Sequence, residues 1–346
     1  MTTESISLHD APAIPGLSFR PVRGEEDAAA LYAVHAGRMA HDEVDPLSTS
    51  EDFPSHVHLC ASLSKAVAGR QQDQWLVAQI NERVVGYSQI ECWPEADGTW
   101  VYLALGWVLP EWRGKGIGIA MLHWTEGRIR RLAAAQHPNE KAEFAANASS
   151  TEKEATALLL HEGYRVGYTM LEMALDASAP VLVYALPAGI DVRPALPDHY
   201  PLIAASVREA YQYEFDAGRF NEDVDSAAYI AELSNPKHDP ALWQVAWDGN
   251  QIAGQVLSLV ENGKAEVFEV SVRPAWRRRG LARGLLSRAL RSLRARGSDV
   301  IRIRTAADFR TRARDLYHSV GFRVLKEFPR YRKSFNSLCG SPNLSR

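Results

Sequence analysis

Apolar and polar positions alternate with period two over residues 74–80 and 84–92, on either side of Asn81-Glu82, which predicts a hairpin. Residues 17–22, 99–108 and 142–147 read as further strands, and 164–175 as a closing pair of strands. Between them the apolar spacing changes to three and four, predicting helices over 25–40, 55–69, 116–135 and 151–162. Glu25, Glu26 and Asp27 open the first of these, where carboxylates suit the positive end of a helix. The same string then returns. Strands are expected at 190–194, 242–248, 252–260, 265–272, 299–304 and 322–334, and helices at 198–217, 226–234, 280–297 and 310–319. Such a mixture predicts an α/β (α+β) fold on a sheet that is part parallel and part antiparallel.

The repetition extends to residue identity. Trp75-Leu76-Val77-Ala78 recurs as Trp243-Gln244-Val245-Ala246, Gly86 as Gly254, and Pro110-Glu111-Trp112-Arg113 as Pro274-Ala275-Trp276-Arg277. Gly163-Tyr164 recurs as Gly321-Phe322, and Leu17–Pro21 echoes Ile190–Pro194. The order is kept while the offset drifts from 173 to 158, as loop insertions would cause. Two copies of one domain are therefore expected, at 16–176 and 190–336. A flexible stretch at 1–15, a Pro/Gly-containing linker at 177–189 and a tail at 337–346 complete the chain.

Composition narrows the class. The chain has 346 residues, of which 46% are hydrophobic and 23% charged, as in globular domains rather than disordered or fibrous chains. No run of 18 apolar residues occurs, and the first residues lack the basic start and apolar stretch of a secretory signal. Three scattered cysteines suggest neither a disulfide framework nor a zinc site, and the histidines form no ligand set. A cytoplasmic, metal-free protein without a membrane partner is expected. The net charge of -3 conceals a polarity: residues 1–189 carry -10, 190–272 carry -9 and 273–346 carry +16. A basic segment of this kind needs an anionic partner or acidic neighbours within the fold.

Each copy also contains a strand, a proline, a glycine-rich turn and a helix. The first reads Val108-Leu109-Pro110-Glu111-Trp112-Arg113-Gly114-Lys115-Gly116-Ile117-Gly118. The second reads Val272-Arg273-Pro274-Ala275-Trp276-Arg277-Arg278-Arg279-Gly280-Leu281-Ala282-Arg283-Gly284. Small residues let backbone N–H groups approach an anion, and the helix N-terminus adds favourable partial charge. The turn is not a Walker loop, because Lys115 is followed by Gly116-Ile117 rather than Ser or Thr.

The Arg-x-x-Gly-x-Gly/Ala spacing after Val-x-Pro resembles the coenzyme A loop of the GNAT superfamily of acyl-CoA N-acyltransferases. Ala313-Arg314-Asp315-Leu316-Tyr317-His318-Ser319-Val320-Gly321-Phe322 resembles that family's later Ala-x-x-Leu-Tyr-x-x-x-Gly-Phe stretch. The likeness covers nearly the whole chain, twice. It implies acetyl-CoA as acyl donor, held by both loops and by the strand segment Val270-Ser271-Val272. It also implies a strand carboxylate as base, a strand N–H for the thioester carbonyl, and a helix tyrosine as acid for the leaving thiolate.

In the second copy the strand offers Glu266 and Glu269 as base, and Tyr317 takes the acid position. Glu266 lies eight residues before Pro274, where paired members of the family place the base. Glu269 falls on the opposite face of a regular strand, although a bulge, common on this strand, would change that. In the first copy Tyr102 and Leu105 stand where Glu266 and Glu269 stand, and Leu159 replaces Tyr317. The first copy is thus expected to bind coenzyme A or act as scaffold, and the second to turn over. Arg277, Arg278, Arg279, Arg283, Arg310 and Arg312 can balance the coenzyme's phosphates. Glu214, Asp216, Glu222, Asp223 and Asp225, with Tyr211, Tyr213 and Phe215, form a candidate wall for a cationic small-molecule acceptor such as an amine or amino sugar. Two other classes fit less of the sequence: an acyl-CoA sensor without catalysis, and nucleic-acid binding through 273–314.

Overall fold

The computed structural model describes residues 5–48, 50–51, 53–95, 97–211, 222–307 and 312–335. It divides into two compact units. Among the described residues, unit 1 comprises those up to Pro94, Gly98–Tyr168 and those from Phe328 on; unit 2 comprises Glu95, Asp97 and those within Thr169–Glu327.

In unit 1, strands β1 (Leu17–Arg20), β2 (Trp75–Ile80), β3 (Arg83–Pro94) and β4 (Trp100–Val108) follow one another as antiparallel neighbours. β4 then pairs in parallel with β5 (Ala142–Asn147) through Ala104–Ala146. Helices α1 (Ala28–Arg38), α2 (His56–Ala68), α3 (Ile117–Gln136) and α4 (Lys153–His161) complete it. The last strand to join is not from this half of the sequence. Residues 330–334 of β12 (Arg323–Ser334) run antiparallel to β5.

Unit 2 mirrors this. β7 (Ile190–Arg193), β8 (Gln244–Asp248), β9 (Gln251–Glu261) and β10 (Lys264–Val272) are antiparallel, and β10 pairs in parallel with β11 (Ile301–Ala306). Its closing strand is β6 (Arg165–Leu175), whose residues 170–175 pair with β11. Helices α5 (Tyr200–Tyr211), α6 (Glu222–Leu233), α7 (Leu281–Ala295) and α8 (Ala313–Ser319) flank it. The compact units therefore depart from 16–176 and 190–336 by exchanging closing strands, and 164–175 is a single strand rather than a pair.

The repeat is physical as well as textual. β3 and β9 match at a constant offset of 168, and both units shift register at the same step, Ala78/Gln79 and Ala246/Trp247. Gly86 and Gly254 are fixed by close strand approach: a Cβ would lie 2.7 Å from Trp107 O and 2.6 Å from Ser271 O respectively. On α7, Leu281, Leu285, Leu286, Ala289, Leu290 and Leu293 form the buried stripe, and Arg283, Arg288, Arg291 and Arg294 fall between them.

Two expectations change. Residues 5–15 are anchored rather than loose: Ile6 bridges to Phe19, and Leu8 and Ile14 pack on the unit 1 core. Residues 177–189 are not a free linker either, because Ser287 donates to Leu182 O and Arg283 lies over the Tyr184 ring. The basic C-terminal segment finds acidic partners inside the fold, among them Glu172 for Arg302, Glu126 for Lys333 and Glu209 for Arg273. The tail from 337 on lies outside the described residues.

Candidate active site

The site of unit 2 begins with one extra residue in β10. Glu266 pairs with Leu259 and Val267 with Ser258, but the next register position, opposite Leu257, is Glu269. Phe268 is thus bulged out, and Glu266 and Glu269 come onto the same face of the strand. β10 and β11 pair only through Ala265–Val267, so the two strands part at the bulge. The parting opens a cleft of about 770 Å³.

Val270, Ser271, Val272, Arg277, Arg278, Gly280, Leu281, Ala282 and Arg283 line that cleft, together with Tyr211, Arg312 and Tyr317. Gly280 caps α7 in the left-handed region (φ 84°), and Arg278 stands at φ 63° where the first copy has Gly114 at φ 68°. The first amides of α7 have no intrahelical acceptor, and a Cβ on Gly280 would meet open space. A diphosphate fits such a cradle. The other candidates have different work. Arg277 Nε donates to Val272 O at 3.0 Å and its guanidinium also reaches Ala210 O, so it clamps the loop to the strand. Gly284 is covered by Leu186 and Ala185, and Arg279 lies outside the cleft lining.

Glu269 is buried beside this cleft. The Tyr211 hydroxyl donates to its Oε1 at 3.0 Å, and the Ser271 hydroxyl also donates to it. Burial nevertheless dominates and pushes its carboxyl from the ordinary value up to about 7. Burial, and then the Glu269 charge, push the Tyr317 phenol well above its ordinary value, so it stays protonated. Glu266 is buried too, and accepts from Arg304 Nε at 2.8 Å. Tyr229 of α6 also feels the Glu269 charge. Of the expected acceptor wall, Tyr211 is described. Tyr213, Glu214, Phe215 and Asp216 lie outside the described residues, as do Arg310 and the side chains of Glu222, Asp223 and Asp225.

Unit 1 has the matching cleft, about 710 Å³, lined by Trp107, Val108, Arg113, Gly114, Gly116, Gly118 and Leu159 among others. Arg113 Nε donates to Val108 O at 2.9 Å, the counterpart of the Arg277 clamp. Its two terminal nitrogens form a bidentate pair with buried Asp42 at 2.6 and 2.8 Å. Lys115 lies over the Trp112 ring, Ile117 is buried, and Pro12 rests against Gly116. β4 carries no bulge against β3, so the correspondence expected from the sequence shifts by one. Leu103, opposite Glu91, is the register equivalent of Glu266, while Tyr102 matches Ala265. Leu105, opposite Gln89, does match Glu269. The first copy thus has apolar side chains at both carboxylate positions and at the tyrosine position.

Two parted parallel strands, each with a glycine-containing helix cap at the opening, define a GNAT-type acetyltransferase fold in tandem. The chain belongs to the GNAT acetyltransferase family: residues 204–322 match the acetyltransferase (GNAT) family model and residues 71–172 a second acetyltransferase (GNAT) domain model. It is 30% identical over 319 residues to a mycothiol acetyltransferase of Kineococcus radiotolerans, covering 90% of this chain and 93% of that one. A mycothiol acetyltransferase of Clavibacter michiganensis is 31% identical over 151 residues, 43% of this chain and 47% of that one. Among solved structures, a GCN5-related N-acetyltransferase from Sphaerobacter thermophilus superposes with TM-score 0.72 at 21% identity, covering 92% of this chain and 95% of that one. A tandem GNAT protein from the clavulanic acid biosynthesis pathway gives TM-score 0.63 at 16% identity, with coverages of 92% and 98%. The protein is an acetyl-CoA-dependent N-acyltransferase.

Proposed function

We propose that unit 2 transfers an acetyl group from acetyl-CoA to a primary amine of a small molecule, and that unit 1 does not turn over. The carrying observation is that one cleft is lined by the α7 amide cradle and the protonated phenol of Tyr317, and that the carboxyl of Glu269 lies buried behind its lining Tyr211. Unit 1 presents Leu159 and Leu105 at the latter two places.

Acetyl-CoA supplies the activated acyl group as a thioester. The amides of Leu281, Ala282 and Arg283 and the side chains of Arg278 and Arg283 hold its phosphates. Glu269 takes a proton from the acceptor ammonium, a task suited to a carboxylate titrating near 7. A main-chain N–H of Ser271 or Val272, on the stretch of β10 that has left β11, donates to the carbonyl oxygen as charge develops there. Tyr317 gives its proton to the departing sulfur. Glu269 is assigned the base rather than Glu266 because it touches the cleft-lining Tyr211, whereas Glu266 is engaged by Arg304. The acceptor is an amine of amino-sugar or polyamine type; the named relatives make a mycothiol-related amine the first to try.

The test is thiol release from acetyl-CoA against a panel of amines, amino sugars and aminoacyl compounds. Glu269→Gln and Tyr317→Phe are expected to lower kcat by about 10²–10⁴-fold with little change in coenzyme affinity. Full loss in Glu266→Gln with an active Glu269→Gln would transfer the role to Glu266. Retained activity in all three would end the reading.

A further inference from the structure

A polar chain runs from Glu269 into the body of unit 2. Ser271 Oγ accepts from Gln255 Nε2, and Gln255 Oε1 accepts from the hydroxyl of Ser206 on α5 at 2.8 Å. Gln255 and Ser271 face each other across the β9–β10 ladder, and all three side chains are buried. Neither Gln255 nor Ser206 lines the cleft.

Buried polar groups of this kind are costly unless every donor and acceptor is used. The order of the chain shows what it serves. With Gln255 donating to it, the Ser271 hydroxyl has its own proton free for the Glu269 carboxylate. Ser206 also lies 2.9 Å from Ile203 O, a second acceptor for its single proton. The chain therefore has a second complete arrangement. A protonated Glu269 donates to Ser271, Ser271 donates to a turned Gln255 amide, Gln255 donates to Ser206, and Ser206 donates to Ile203 O. The links Glu269–Ser271, Ser271–Gln255 and Gln255–Ser206 are kept in both with their direction reversed, the Ser206 proton turns between Gln255 and Ile203 O, and no proton leaves the side chain that owns it.

The first copy supports this reading by contrast. At the register equivalents of Gln255 and Ser271 it has Tyr87 and Trp107, with His35 of α1 against both rings. Where Leu105 replaces Glu269, the Gln255–Ser206 link is replaced by a hydrogen bond between the Tyr87 hydroxyl and His35 Nε2.

We propose that Gln255 and Ser206 are positioning residues for Glu269, reversing the direction of their hydrogen bonds as Glu269 gains and loses the acceptor's proton. This rests on Glu269 being the base. Among the described residues, Glu269 is also faced by Tyr211 of α5, Tyr229 of α6 and Tyr317, all of which remain protonated phenols over the working range, and it shares its strand face with Glu266, which is paired with Arg304.

The experiment is the pH dependence of kcat/KM in the full-length protein for Gln255→Leu and the milder Ser206→Ala, beside Glu269→Gln. Gln255→Leu is expected to raise the pH at the midpoint of the acid limb by about one unit and to lower kcat about tenfold. KM for acetyl-CoA is expected to stay within about twofold. Ser206→Ala is expected to move the limb the same way by less, and so reports even if Gln255→Leu fails to fold. A purely structural role predicts lower melting temperatures with superimposable pH profiles, which would overturn the proposal. An active Glu269→Gln would instead overturn the base assignment beneath it.

Discussion

The phenol of Tyr211, the last residue of α5, donates to Glu269 across 3.0 Å and also contacts Val270 O at 3.4 Å. One side chain thus touches both the carboxylate and the strand backbone that borders the cleft. Removing its hydroxyl takes a donor from the charged form of Glu269. Tyr211→Phe is expected to raise the Glu269 pKa further, so activity falls about tenfold at pH 6 and only a few-fold at pH 8.5. Equal loss at both values would show that Tyr211 acts elsewhere.

Glu269 also links stability to pH. Its folded-state value of about 7 lies above the ordinary carboxylate value, so between roughly 4.5 and 7 the folded protein keeps a proton that the unfolded chain has released. Stability contributed by this residue is therefore present at low pH and lost as pH rises through 7, by an amount on the order of 3 kcal/mol. Denaturant midpoints at pH 5 and pH 8 check this. Glu269→Gln is expected to flatten the decline and to be the more stable protein at pH 8.

Asp42 anchors the glycine turn of unit 1. Burial alone would raise its carboxyl, but Arg113 and Arg38 more than reverse that and hold it below the ordinary range. Asp42→Asn leaves Arg113 with one partner fewer in a buried setting, at an expected cost of about 3–5 kcal/mol. Unfolding followed by a probe in unit 1 measures it, and the acetyl-transfer rate per folded molecule is expected to be unchanged.

His123 joins the N-terminal segment to α3, with Nδ1 2.7 Å from Asp10 and Nε2 2.8 Å from Glu162. Burial disfavours its charge, but the hydrogen bonds to Glu162 and Asp10 outweigh this and raise its pKa. The attachment is complete below the ordinary histidine value and weakens as pH rises through the raised one. The protection of amides over residues 5–15, relative to the intrinsic base-catalysed exchange rate, is expected to be lower at pH 8.5 than at pH 6, and to lose that dependence in His123→Gln.

Much of this was legible in the residues. The duplicated Gly86 and Gly254, and the Arg113 and Arg277 turns, stand out because close strand approach and a left-handed helix cap tolerate few residues. The place of Tyr317 at the cleft follows from the same fixed spacing. The family resemblance allowed a bulge on this strand but not its place at Phe268, because an extra strand residue leaves the alternation of neighbours intact while moving Glu269 to the Glu266 face. Gln255 and Ser206 gave no signal, since a buried amide and hydroxyl look like surface residues until a register pairs them. The closing strands were recognised as strands, but local pattern carries no record of which neighbour a strand will choose.

That choice has a practical side. Because residues 330–334 complete the sheet begun by β1–β5, and 170–175 complete the one begun by β7–β10, a gene cut between codons 177 and 189 would encode two polypeptides that each lack a finished edge. They would need to be co-expressed to yield soluble material, and a protease nick there would leave the pieces bound. Duplication of the domain has in this way become a commitment: after the exchange of strands, neither descendant can be inherited, moved or lost alone.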